Sequence, residues 1–561
     1  MGKRKQQNFE HGAIILLIST ALSKIIGSIF KIPLANIIGD LGYGYFTSAY
    51  ELFVPIYGLA MAGLPIAVSR LVAENVAKER FNDVKAVLKL TKKAFFVTGI
   101  AAFLLMLALI YPFVSLTDKT GGSLYSLLAI APSILFCCVT SIYRGYYEGL
   151  RNMFPTAISD VIEAASKLLF GYTLAYVVLK FTGRQELAAA GAIMGVTIGT
   201  ILASAVLILR HKFKGDGITE EEYRLSPEPQ SQRVLFKSLV VIAVPVVLSS
   251  IATNLSGLID VAMVKWQLNN IMESDSSVIR EMYAASIADY NASYKEALSD
   301  AAMPTFLFGV RGKAFSIYNL VPTIASVLGV SALPVLASVW STDRENKAEI
   351  KKNIESIIRF TSMIALPAGI GMCALSAPIM SLLYSSVASV EIGGPLLAVF
   401  GIAAAFAGIS APITSMLQAI GKQGIPVRNI AVGAVVKIVV NFLLVGIPQV
   451  NILGAPIGTL CCFAYIFFAN LFCLIKYSGV KPNLFGTLVK PLISALLCGA
   501  AAFSVYAFLG MGTINTCLAI LAAVVVYVAA LLLLKTFKEE DVLALPMGKK
   551  ILKVCKKLRF L

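Results

Sequence analysis

Two lysines seven residues apart, Lys24 and Lys31, stand inside an apolar run, residues 11–38, long enough to cross a bilayer. That spacing places both on one helix face, two turns apart. A lysine near the bilayer centre costs about 2.5–3.5 kcal/mol on insertion scales, so such residues are expected to face a bundle interior or a wet cavity. The chemistry open to such a pair is holding an anion. Pro33 follows Lys31 closely and predicts a bend just beyond it, because proline removes a ladder hydrogen bond.

Other charges fall inside apolar runs. Asp160, Glu163 and Lys167 follow i, i+3, i+7 spacing and so share a helix face. Glu163 precedes Lys167 by four residues, the favourable acid-first order, so the two read either as a self-neutralised pair or as part of a cavity. Lys437, with Asn441 one turn on, has no acid a turn away and is a candidate cavity cation. Glu51 and Arg70 lie towards opposite ends of one run, and Asp260 and Lys265 share another. Arg70 alternatively reaches headgroups, and Lys265 alternatively snorkels outward. The candidate anion-binding set is therefore Lys24, Lys31, Lys167, Lys265 and Lys437, with Glu51, Arg70, Asp160, Glu163, Asp260 and Asn441 as cavity or gating residues.

Bond-breaking chemistry has little to draw on. Only two histidines, His11 and His211, occur, both at segment ends, and the nine cysteines form no CxxC pair. There is no Gly-rich phosphate loop and no HExxH, so no catalytic residue, cofactor or metal site is expected and the chain does not read as an enzyme.

The elements that must carry these charges are membrane helices. Of 561 residues 58% are hydrophobic and 14% charged, outside the range of soluble globular domains. Fourteen spans are expected, near 11–38, 44–73, 86–113, 122–147, 155–179, 187–209, 236–266, 314–340, 354–383, 394–420, 426–446, 452–475, 485–509 and 512–534. The first reads as a retained span rather than a signal peptide. With both termini cytoplasmic, 35 of the 48 Lys and Arg fall on the cytoplasmic side. The formal charge of +17 is then explained by an anionic inner leaflet, without nucleic acid.

An internal repeat is visible. Pro65, Lys78 and Gly99 are echoed by Pro334, Lys347 and Gly369, and Ser141, Gly149, Pro155 and Lys167 by Ser415, Gly421, Pro426 and Lys437. The chain thus reads as an all-α integral membrane protein with two pseudo-symmetric six-helix lobes and two appended helices. The divisions are an N-lobe at 1–210, a cytoplasmic linker at 211–235, a C-lobe at 236–476 with an outer insertion at 267–313, and two last spans with a basic tail at 477–561. Parallel repeats of this kind place the substrate between the halves.

Three stretches carry a resemblance: Gly63-Leu64-Pro65-Ile66-Ala67-Val68-Ser69-Arg70, Tyr143-Arg144-Gly145-Tyr146-Tyr147-Glu148-Gly149, and Leu417-Gln418-Ala419-Ile420-Gly421-Lys422 with Pro426, Lys437 and Asn441. They resemble the polysaccharide-biosynthesis and stage V sporulation protein B branch of the MOP superfamily. The resemblance implies a flippase for undecaprenyl-pyrophosphate-linked sugars, of which the MurJ-type lipid II flippases are examples, with a central cationic cavity and a lipid-tail groove on the last two helices. Lys24 then stands where that type carries arginine, and Lys31 near a second. The implied partners are a lipid-linked pyrophosphate sugar and membrane lipids, with Na+ or H+ as candidate coupling ions, at the plasma membrane. A MATE-type cation or drug antiporter and a non-transporting scaffold are the alternatives; the first needs acids to dominate the cavity.

Overall fold

The computed structural model describes the backbone of residues 9–536 except 62, 343 and 511, and a smaller set of side chains. The side chain of Lys24 lies outside the described residues. Every regular element among those residues is helical. The chain divides into two compact units, Met1–Asn269 with Ser299–Gly309, and Asn270–Leu298 with Val310–Leu561.

The first unit holds α1 (Phe9–Met61), α2 (Leu64–Ala77), α3 (Phe81–Thr117), α4 (Ser123–Ile130) and α5 (Ser133–Gly149). It continues with α6 (Phe154–Thr182), α7 (Gln185–Lys214), the short α8 (Glu220–Leu225) and most of α9 (Gln232–Ser274). The second unit opens with α10 (Ser276–Met282) and α11 (Ala284–Ser293). Next come α12 (Met303–Tyr318), whose first turns belong to the first unit, α13 (Leu320–Thr342), α14 (Lys347–Ala374), α15 (Ser376–Leu383) and α16 (Val387–Glu391). The last are α17 (Gly393–Ala419), α18 (Gly424–Val445), α19 (Gly454–Ser478), α20 (Lys490–Leu509) and α21 (Thr513–Leu533).

Ten stretches among the described residues are long and apolar enough to cross a membrane, and they coincide with ten of the expected spans. The other four expected spans fall on α1, α1 with α2, α9, and α12 with α13. Local sequence sets the boundaries: Pro65 and Pro155 occupy first-turn positions of α2 and α6, where a missing N–H is harmless.

The bend expected at Pro33 is placed elsewhere. The helix continues past Pro33, and the non-helical residue is Gly39, with φ 71°. Glycine reaches that left-handed region without a Cβ penalty. Phe30 and Phe46 would be about 24 Å apart along a straight helix. Their rings are 6.3 Å apart, so α1 folds back on itself at Gly39 and supplies two antiparallel spans.

Helix α6, which carries three of the candidate charges, is set by close backbone packing on α7. A Cβ on Gly195 would lie 2.3 Å from Gly171 N, and one on Gly199 2.8 Å from Glu163 O. Gly195 and Gly199 form the small-xxx-small pattern that lets membrane helices touch backbone to backbone.

The 211–235 segment, expected as a linker, is held against the first unit. Asn82 Nδ2 donates to the carbonyls of Tyr223, Ser226 and Pro227, each at 3.1 Å, and Asp83 Oδ1 accepts from Gln230 N at 2.6 Å. Asp216 accepts from the hydroxyls of Tyr146 (2.8 Å) and Tyr223 (2.7 Å). Asn82→Ala removes three of these bonds, and limited proteolysis within 217–231 is expected to run at least fivefold faster than in wild type, since even one neutral bond is worth about 1 kcal/mol. An unchanged cleavage rate would mean that the segment is held by other contacts.

The outer insertion expected at 267–313 is largely helical, spanning the end of α9, α10, α11 and the start of α12. Arg311 and Lys313, which fall within that insertion by number, are buried in α12. Lys313 Nζ donates to Ser389 Oγ at 3.1 Å and Ser386 Oγ at 3.3 Å. The reason is length: a polar-looking 47-residue stretch hides the first turns of a membrane helix behind Met303.

Candidate functional site

Five of the expected residues converge in the first unit. Lys31, from the first arm of α1, lies close enough to Lys167 of α6 to be repelled by it and close enough to Glu51 of the second arm to be attracted. The fold-back at Gly39 makes this possible, because it returns residues 50 and 51 alongside residue 31. Glu51 points towards α9, where a Cβ on Gly257 would lie 3.3 Å from its Oε2.

The i,i+4 pair expected between Glu163 and Lys167 gives way to other partners. Arg144, from α5, reaches Asp160 Oδ1 at 2.8 Å with Nη1 and Glu163 Oε2 at 2.9 Å with Nη2. Its Nε donates to Ser159 Oγ at 2.9 Å. Lys167 Nζ donates instead to the Tyr50 hydroxyl and stands 4.7 Å from the centre of that ring. Tyr50 belongs to an aromatic ladder on α1, Phe46, Tyr50, Phe53 and Tyr57, with successive ring centres 5.5, 6.2 and 5.5 Å apart. Seven residues on from Tyr50, Tyr57 lies on the same face and beside the Arg144 cluster.

Tyr50 and Tyr57 are not among the expected site residues, and Arg144 stands only in a stretch that carries the family resemblance, with no site role expected of it. Arg144 lies near the inner end of the expected 122–147 span, and α5 continues past it to Gly149. The heptad spacing of the two tyrosines was the available signal, and it is also the ordinary signature of a packed helix face.

The remaining candidates lie elsewhere. Arg70 is exposed on α2. Asp260 and Lys265 are both buried on α9, so Lys265 does not snorkel. Lys437 is half-buried and Asn441 fully buried on α18 in the second unit, where Gly458 of α19 packs directly on Asn441. An apolar crevice of about 330 Å³ in that unit is lined by Ile370, Phe406, Phe467, Phe468 and Leu492 among others.

Lys265 Nζ donates to Ser48 Oγ at 3.1 Å and has Asp118 as its electrostatic partner. Asp118 accepts from Thr120 Oγ1 at 2.6 Å and from Ser123 N at 2.7 Å. Burial pushes the Asp118 carboxyl up, but Lys265 and the bonds from Ser123 and Thr120 outweigh it and hold the group below its ordinary range. A depressed carboxyl stabilises the fold above its unfolded pKa, and that contribution is lost as pH falls through the folded value. Asp118→Asn is therefore expected to cost about 1–3 kcal/mol at pH 7, a deficit that narrows below about pH 4. Thermal unfolding of both proteins across pH 7 to 3 checks this; a deficit independent of pH would sink it.

A family model described as polysaccharide biosynthesis protein matches residues 9–298. The chain belongs to that family. A second model, lipid II flippase MurJ, matches residues 314–538. Stage V sporulation protein B of Bacillus subtilis (strain 168) is 24% identical over 97% of this chain and 98% of its own length. Lipid II flippase MurJ of the same organism is 24% identical, covering 81% of each chain. Among solved structures, lipid II flippase MurJ in an inward closed conformation has a TM-score of 0.66 at 15% identity, covering 92% of this chain and 98% of that one. An inward-facing multidrug resistance MATE family transporter of the MOP superfamily has a TM-score of 0.58 at 16% identity, covering 81% and 98%. The fold is thus shared with both kinds of transporter, and this family member is a multi-pass membrane protein.

Proposed function

We propose that the protein is a flippase carrying a lipid-linked pyrophosphate sugar, of the lipid II or lipid-linked oligosaccharide kind, from the inner to the outer leaflet by alternating access between two lobes. One observation carries the reading: Lys31 and Lys167 are brought together inside an apolar helical unit with one acid, Glu51, beside Lys31, and two cations against one such acid leave positive charge that a bound anion would offset. A cation–anion contact at 4 Å is worth about 4 kcal/mol at an effective dielectric near 20, comparable with the cost of burying one lysine. Lys24 stands two turns before Lys31 on α1 and is the further candidate cation of the first unit; in the second unit Lys437 is a candidate of its own, and the apolar crevice there suits a hydrocarbon chain. The Bacillus subtilis lipid II flippase named above supports this assignment by its description.

Positive residues concentrated at one side favour cytoplasmic termini. An interior-negative potential then favours outward movement of the anion by about 2.3 kcal/mol per charge per 100 mV, and no bond need be broken. Cation export of the MATE kind is less well supported, because two of the four acids open to it, Asp160 and Glu163 beside Glu51 and Asp260, are engaged by Arg144.

The test is leaflet exchange of a fluorescent lipid II in proteoliposomes, read by protection from a membrane-impermeant quencher. Exchange above that of empty vesicles, and none for a cationic dye, is the expected result; the reverse pattern would overturn the proposal.

A further inference from the structure

We infer that Arg144 is a positioning residue: by taking the carboxylates of Asp160 and Glu163 it keeps Lys167 available to an anionic headgroup. The inference rests on the flippase reading above. Glu163 stands one turn before Lys167 in the order that favours pairing, so without a competitor the two would neutralise each other and close the site to anions. Arg144 is that competitor. Its planar fork spans two carboxylates with separate nitrogens, at 2.8 and 2.9 Å, while Nε is tied to Ser159. A lysine, with one point charge, cannot reproduce that geometry.

The backbone around Arg144 is placed with matching precision. A Cβ on the next residue, Gly145, would lie 2.6 Å from Pro65 O, and one on Gly149 2.6 Å from Ser69 O. Helix α5 is thus pressed on α2, and its register is set where Arg144 reaches α6. Lys167, freed of its nearest acid, is left with a neutral partner, the Tyr50 hydroxyl. A phosphate oxygen would displace a neutral acceptor there rather than a carboxylate.

The experiment titrates the full detergent-solubilised chain with farnesyl pyrophosphate, a short isoprenyl pyrophosphate. Arg144→Gln is expected to weaken binding at least tenfold, and adding Glu163→Gln to it to restore affinity to within about threefold of wild type. A purely structural role for Arg144 gives no such rescue, so a double variant as weak as the single, or an R144Q protein that binds normally, overturns the inference. Should R144Q not fold, Arg144→Lys with and without Glu163→Gln is read the same way. Wild type that fails to bind the probe, or binding indifferent to Lys167→Gln, overturns the site reading itself and the role of Arg144 with it. Binding that needs Lys167 but shows no rescue overturns only the role of Arg144.

Discussion

Replacing Lys31 or Lys167 with glutamine is expected to reduce lipid II exchange in proteoliposomes by about tenfold, and replacing both by more than either alone. A hydrogen bond to a charged group contributes about 1.5–3 kcal/mol, and 1.4 kcal/mol is a factor of ten. The two side chains approach one headgroup from the first arm of α1 and from α6 and repel each other, so their losses are coupled and need not add. The variants should melt close to wild type, because removing either lysine relieves their mutual repulsion while giving up the attraction of Glu51 for Lys31 or the Lys167–Tyr50 bond. That combination, lost transport with a nearly unchanged melting temperature, is what separates a functional cation from a structural one. A double variant that still exchanges lipid II within twofold of wild type would remove the basis of the proposed chemistry.

Gly44→Ala and Gly309→Ala should each destabilise the protein by about 2–4 kcal/mol, the upper part of the range for overpacked sites. A Cβ on Gly309 would lie 1.9 Å from Asp40 O, and one on Gly44 2.1 Å from Thr305 O. Both obstacles are backbone, so no side-chain rotation relieves them and α1 and α12 must move apart by an ångström or more. Membrane helices have no hydrophobic drive towards each other and depend on such close contact for attraction. The same region contains Lys265 on Ser48, and parting the helices would open that buried ammonium to its surroundings. Buried free thiols such as Cys137 and Cys138 provide the readout, since a thiol-reactive dye reports unfolding on heating. Melting within a degree of wild type for both variants would show that the crossing is slack.

Much of the molecule was legible in the sequence because a bilayer imposes a simple rule: backbone polar groups must be satisfied within each segment, so long apolar runs become helices. Ten spans and the all-α class follow from that rule alone. The charged face of α6 was legible too, since Asp160, Glu163 and Lys167 share it by helical spacing. What spacing cannot rank is a neighbour on the same helix against one on another helix. Glu163 had a correct local partner in Lys167 and took a distant one, Arg144, with better geometry. Likewise Pro33 was the strongest local breaker near Lys31, yet the chain turns at Gly39, where a positive φ is free. Lys265, expected equally to snorkel, is enclosed by Ser48 and Phe308 from elements far along the chain.

The sequence by itself determined the environment of the chain, its helices and the presence of costly buried charge, because these depend on composition and periodicity within single segments. Only the tertiary structure decided which charges cancel and which remain to be used. That choice depends on distances between side chains more than a hundred residues apart, as with Tyr50 and Lys167, and no local pattern records them.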